Sequence, residues 1–231
     1  RQRAASGRLA NISTRGRVGV GADVLIVGIV TTGTAPVHVL GRGVGPSLQR
    51  FGLTSVLPDP AIDLKRGDVT LDENDDWGSA PDPDLLVAET SRVGGFRLNE
   101  GSGDAAVLTP LAPGSYTARI FDPAGGQGVA LAEFYDRTLA SAADPYTRAI
   151  NISTRGRVGR DADVLIAGFV ITGSVPKQVL VRGVGPGIAR FGIGDYLVDP
   201  HIRVVHDGAT VATNDDWAYS SQGGVVAAAA R

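Results

Sequence analysis

Val24-Leu-Ile-Val-Gly-Ile-Val-Thr-Thr32, then Gly33-Thr-Ala-Pro36, then Val37-His-Val-Leu-Gly41, is the stretch on which the fold turns. The first run is nearly continuous in apolar residues, as a strand at the centre of a core should be. The Gly-Pro turn after it predicts a hairpin with 37–41. Outward from this stretch the same punctuation recurs. Short strands are predicted at 9–14, 61–65, 69–72, 96–98, 105–109, 115–121 and 129–135. Turns separate them at Gly67-Asp68, Gly101-Ser-Gly103, Pro113-Gly114 and Gly125-Gly126. In 115–121, Tyr116, Ala118 and Ile120 fall on one face, as two-layer packing needs. One helical turn is expected at 47–51 and a short helix at 84–90. The pattern predicts an all-β protein built of antiparallel β-sandwich domains of jelly-roll type.

The chain repeats itself. Asn11-Ile-Ser-Thr-Arg-Gly-Arg-Val-Gly19 returns as Asn151–Gly159, Arg42-Gly-Val-Gly-Pro46 as Arg182–Pro186, and Asn74-Asp-Asp-Trp77 as Asn214–Trp217. The offset is 140 without a gap, and 38 of the 67 positions from 11 to 77 match. That period is a whole domain, too long for a solenoid unit. The organisation read from it is a tail over 1–8, a first repeat over 9–137, a linker over 138–148 and a second, incomplete repeat over 149–231. Arg231 corresponds to Ser91, so the segment 93–136 has no counterpart. A half sandwich would expose the apolar face of 164–172 and leave open strand edges. Three resolutions stand: the chain continues, the second copy leans on the first, or a neighbouring subunit adds strands to the open edge. The last is the favoured expectation, because strand addition is a recurring mode of assembly.

Composition narrows the function. Of 231 residues 43% are hydrophobic, enough for a packed core. The net charge of -2 provides no field for nucleic acid, and no apolar run approaches the roughly 20 residues of a spanning helix. Cysteine is absent, which removes disulfides and thiolate sites. Methionine is also absent and the sequence starts at Arg1, so it reads as a piece of a longer protein. Only Lys65 and Lys177 of the 22 basic residues are lysine, in keeping with a GC-rich bacterial genome.

The one run that invites a metal is Asp72-Glu73-Asn74-Asp75-Asp76-Trp77. Calcium takes six to eight hard oxygen ligands, and Asp72, Asn74, Asp75 and Asp76 offer them. Asn214, Asp215 and Asp216 repeat the motif, with Ala212 and Thr213 replacing its first two residues. The competing reading is an acidic turn in which Asn and Asp bond backbone amides and the indole plugs the sandwich edge. Arg42-Gly-Val-Gly-Pro46 lacks the Lys-Ser/Thr of a phosphate loop. Its glycines read as a sharp strand exit, and Arg42 and Arg182 as ion-pair partners of Asp59 or Asp76 and of Asp199 or Asp216. His38, His201 and His206 have no histidine at the repeat-equivalent position, so no shared histidine chemistry exists. Trp77, Tyr116 and Tyr135 fit core packing and sugar stacking equally. Asn11-Ile-Ser and Asn151-Ile-Ser match a glycosylation acceptor but sit in or beside a first strand. No catalytic set and no cofactor motif is found, so no enzyme activity is expected.

Taken together, "VLIVGIV", "VLGRGVGPSL", "LPDPAIDL", "NDDW" and "DAAVLTPLAPGSYTARI" resemble a tandem β-sandwich repeat of large secreted bacterial surface proteins of the Verrucomicrobia type. Pro113–Ala118 is distantly similar to bacterial pre-peptidase C-terminal domains. The resemblance implies extracellular, non-catalytic structural or adhesive modules in long arrays. Two functions are therefore expected: a fibre, stalk or matrix protein at the cell surface that associates with itself, or a calcium-assisted glycan-binding module of a larger secreted protein.

Overall fold

The computed structural model describes residues 7–138, 146–174 and 176–219. Within the first repeat, eight strands run in chain order: β1 (Arg8–Val18), β2 (Leu25–Thr32), β3 (Val37–Val44), β4 (Ala61–Arg66), β5 (Val69–Asn74), β6 (Ala105–Leu111), β7 (Gly114–Phe121) and β8 (Gly128–Asp136). Pairing is antiparallel, β1 with β8, β2 with β7, β3 with β6 and β4 with β5. These four pairs are successive rungs of one long ribbon. It rolls so that alternate pairs fall in opposite sheets, giving strand orders β1-β8-β3-β6 and β5-β4-β7-β2. This is the jelly-roll sandwich that the turn spacing predicts.

The buried residues of the two sheets interlock. Leu25, Val27 and Ile29 of β2 meet Val39, Val107, Ala132 and Phe134 of the opposite sheet. In β7 the buried residues are Tyr116, Ala118 and Ile120, the face that the alternation marks. β3 is buried on both faces, because a third layer covers its sheet from outside. That layer holds Trp77, Leu98 and Leu86, the last from the helix α1 (Pro83–Arg92). The Asp82 side chain accepts a hydrogen bond from the Leu85 amide (2.9 Å) and Pro83 opens the first turn, which starts the helix.

Two expectations are corrected. Residues 24–41 are not a hairpin: β2 and β3 lie in different sheets, and Gly33–Pro36 is a crossover between layers. Residues 96–98 form no strand. Their carbonyls are taken by arginines instead of a ladder: Arg42 donates to the Phe96 oxygen and Arg50 to the Arg97 oxygen, both at 2.6 Å.

The second copy divides. Its first two strands, β9 (Arg148–Arg155) and β10 (Ile166–Thr172), complete the sheets of the first repeat, β9 beside β2 and β10 beside β1. The compact unit holding the first repeat accordingly runs to Lys177, and residues 178–231 form a second unit. That unit keeps the hairpin of β11 (Ile202–His206) and β12 (Ala209–Asn214) and short 3-10 helices at Pro186–Phe191 and Trp217–Tyr219. The counterpart of β3, at 177–184, makes no strand. Among the described residues the two copies therefore correspond strand for strand at β1, β2, β4 and β5.

Candidate functional site

In the acidic run the Asp72, Asn74 and Trp77 side chains are engaged in hydrogen bonds. The Asn74 amide donates to the Asp76 carbonyl and accepts from the Ala106 amide, both at 2.9 Å. The Asp72 carboxylate accepts the Thr109 hydroxyl. The Asp76 carbonyl also takes the Ser79 hydroxyl at 2.7 Å. Trp77 is buried and its indole N–H donates to the Asn99 carbonyl (3.1 Å). In the second copy Asn214 again donates to the Asp216 carbonyl (3.3 Å), and the Asp216 amide to the Asp215 carboxylate (3.0 Å). In both copies the Asn amide ties down the turn by donating to the carbonyl two residues on, and in the first copy the buried indole covers it. Among the described residues no three carboxylate or imidazole groups converge as a metal site. Burial first, then the charges of Asp122, Asp76 and Asp75, push the Asp59 carboxyl above its usual range.

The Arg-Gly-Val-Gly-Pro motif is structural. Arg42 is fully buried and pairs with Glu133 of β8, not with Asp59 or Asp76. Its Nε donates to Glu133 Oε2 at 2.9 Å, the Tyr135 hydroxyl donates to Glu133 Oε1 at 2.9 Å, and the guanidinium lies 4.6 Å from the centre of the Phe96 ring. Burial, reinforced by the Glu133 charge, pushes the Tyr135 phenol up. A second buried acid, Asp104, holds the strand exit: it accepts from the Gly45 amide at 2.8 Å and from the Ser47 amide and hydroxyl. Gly45 must lack a side chain, because a Cβ there would meet the Leu57 carbonyl; Gly185 meets the Leu197 carbonyl in the same way. In the second copy Arg182 is exposed, and among the described residues it has no carboxylate partner, Asp199 and Asp216 included. The Glu133 and Asp104 roles have no local signal, lying 91 and 59 residues from their partners.

Trp77, Tyr116 and Tyr135 are all buried, so none presents a face for stacking on sugar. His38, His201 and His206 are exposed, and His206 faces Asp207 at 3.5 Å. The Asn11 amide nitrogen is buried within its strand.

The feature with the most developed geometry is the edge at which the copies meet. β1 pairs with β10 from Arg8 opposite Thr172 to Arg15 opposite Ile166. β2 pairs with β9 from Thr32 opposite Arg148 to Ile26 opposite Arg155. Each sheet thus runs on, through backbone hydrogen bonds, from one repeat into the first strands of the next. Arg8 secures the start of β1, donating to Asp136 at 2.6 Å and to the Thr147 carbonyl at 3.1 Å. On their other edges β9 and β10 have no paired strand among the described residues. No family model, curated protein or solved structure matches the chain.

Proposed function

We propose that the chain is an extracellular structural protein whose repeats pack into a fibre, stalk or matrix at the cell surface. The observation that carries this reading is the reciprocal pairing of β1 with β10 and β2 with β9. Two strands of the second copy are held in the sheets of the first by backbone ladders, which part only by leaving backbone groups unpaired. Such a joint suits a load-transmitting array. Among the described residues the outer edges of β9 and β10 are unpaired, and unpaired edges favour association by strand addition. Electron microscopy of native material tests the reading. Filaments of uniform width are expected, and a uniform field of separate particles would count against it.

A second reading, a glycan-binding adhesion module, draws on one observation. Phe51 is exposed beside a shallow apolar groove on the outer face of the β1-containing sheet, bordered by Phe96, Leu131 and Ile166. Calorimetry against a glycan panel, with and without calcium, decides it. Saturable heats lost on Phe51→Ala would favour this reading over the first.

A further inference from the structure

The edge between the copies is symmetric in a way that its use within one chain does not require. Adding 140 to one member of each β2–β9 pair and subtracting 140 from the other gives the β1–β10 pairs: Ser13 faces Gly168, and Gly28 faces Ser153. The irregularity falls at the same place in both ladders, at Ala10 in β1 and Ile150 in β9. A methyl group on Gly16 would meet Leu165 Cδ1 at 2.8 Å, and one on Gly156 would meet Leu25 Cδ1 at 2.8 Å. The Thr14 and Thr154 hydroxyls bond each other at 2.7 Å, and Arg17 bridges to Arg157. These last two pairs join residues to their own repeat counterparts, so a local twofold axis passes between them. When residue i meets j and j meets i throughout, the surface is complementary to itself.

We propose that the β1–β2 edge of this repeat is a homotypic docking surface whose partner is the same edge of a second copy of this chain. In the intact chain the second repeat occupies it. A first repeat deprived of that mate takes the first repeat of another chain. The sequence permits the exchange, because Asn11–Gly19 and Asn151–Gly159 are identical. Where the copies differ within the paired strands, the exchange places Leu9, Ala10, Val27, Ile29 and Thr31 where Ala149, Ile150, Ala167, Phe169 and Ile171 now stand, so that volume gained at two positions is set against volume lost at three. The first repeat already carries both complete sheets and their core. Two first repeats so joined make two continuous eight-stranded sheets. Repeats then associate in twos, and the structural period of a longer array is a pair of repeats.

The test keeps the full chain and blocks only the second copy, with Gly156→Val and Gly168→Val in a Thr14→Cys background. Valine at 156 strikes Leu25, and valine at 168 strikes the Ser13 hydroxyl, 2.9 Å from the Cβ position. The sedimented mass should double relative to the unblocked chain, and oxidation should join the introduced thiol of one chain to that of the other. The unblocked Thr14→Cys, Thr154→Cys chain should instead close an internal disulfide at monomer mass. Adding Gly16→Val and Gly28→Val to the blocked chain should return it to monomer. A blocked chain that stays monomeric, or dimers that survive the second pair of valines, would overturn the proposal. If valine unfolds the chain, alanine at 156 and 168 puts one methyl into the same contacts and is read identically. The proposal rests on reading the chain as an assembly module, but the two fail separately. Filaments in native material beside a monomeric blocked chain would refute homotypic docking and leave the assembly reading standing.

Discussion

Leu40 and Leu180 occupy equivalent positions in the two copies, yet Leu40 is 0% exposed and Leu180 47%. Val44 and Val184 differ in the same way, at 0% and 43%, and Trp77 and Trp217 at 8% and 59%. The residues are the same; the neighbours are not. In the first repeat β3 lies between β6 and β8 and under α1. At 177–184 no counterpart of those elements is present among the described residues, and no strand forms. β11 and β12 persist because a two-residue turn closes them locally, and local contacts need little loop-closure entropy. β9 and β10 persist because the first repeat supplies a partner. A strand in this fold is therefore a property of its neighbours more than of its own propensity.

That contrast can be broken most forcefully at the buried arginine. Arg42→Met strands Glu133 as a buried, unpaired charge, and loss of one partner of such a pair costs about 3–5 kcal/mol. Arg182→Met, at an exposed position, should change stability by no more than about 0.5 kcal/mol. Urea unfolding of both variants measures the difference, and equal effects would mean that the two arginines share one environment. Next is the core of β3. Leu40→Ala should cost about 2–5 kcal/mol as a cavity-forming change, while Leu180→Ala should fall within the scatter of surface substitutions in the same titration.

The turn comes third. Asn74→Ala removes the acceptor of the buried Ala106 amide, a loss of about 1–3 kcal/mol. Among the described residues Asn214 holds only the Asp216 carbonyl, so Asn214→Ala should move the thermal midpoint far less. The smallest effect is on pH dependence. Hydrogen bonding to Arg137, helped by Arg92 and opposed by burial, holds the Glu89 carboxyl down at about 2, against 4.5 unperturbed. Its stabilisation is thus present above about pH 4.5 and fades as the pH falls towards 2. Glu89→Gln should flatten the acid limb of the stability curve. The equivalent position in the second copy is Ala229, so the Glu89 contribution has no counterpart there. An unchanged limb would show that other carboxylates set it.

Much of the sandwich was legible from alternation and turns. The apolar run of β2, the paired β4 and β5 around Gly67-Asp68, and the one-sided face of Tyr116, Ala118 and Ile120 all stand where the periodicity puts them. Layer assignment was less legible. Gly33-Thr-Ala-Pro36 reverses a hairpin or crosses between sheets with equal ease, and only the distant partners of β2 and β3 decide. At 96–98 apolar residues imitate a strand while arginines capture the carbonyls. The partner of Arg42 was misread for a related reason: Asp59 and Asp76 are nearer in sequence, but the glutamate on the neighbouring strand shares its register, Arg42 lying opposite Glu133. The docking of β9 and β10 left a trace in the exactness of the Asn11–Gly19 repeat, though nothing local says which edge that segment joins.

Amide hydrogen exchange, resolved by segment in the intact chain, tests the central claim most directly: that partner strands, not sequence, decide what is folded here. Segment 37–44 should exchange only through global unfolding, and its counterpart 177–184 should exchange fast. Segments 148–155 and 166–172 should be protected on the edges facing β2 and β1. Equal protection of 37–44 and 177–184, or rapid exchange throughout 148–155 and 166–172, would contradict the shared sheets.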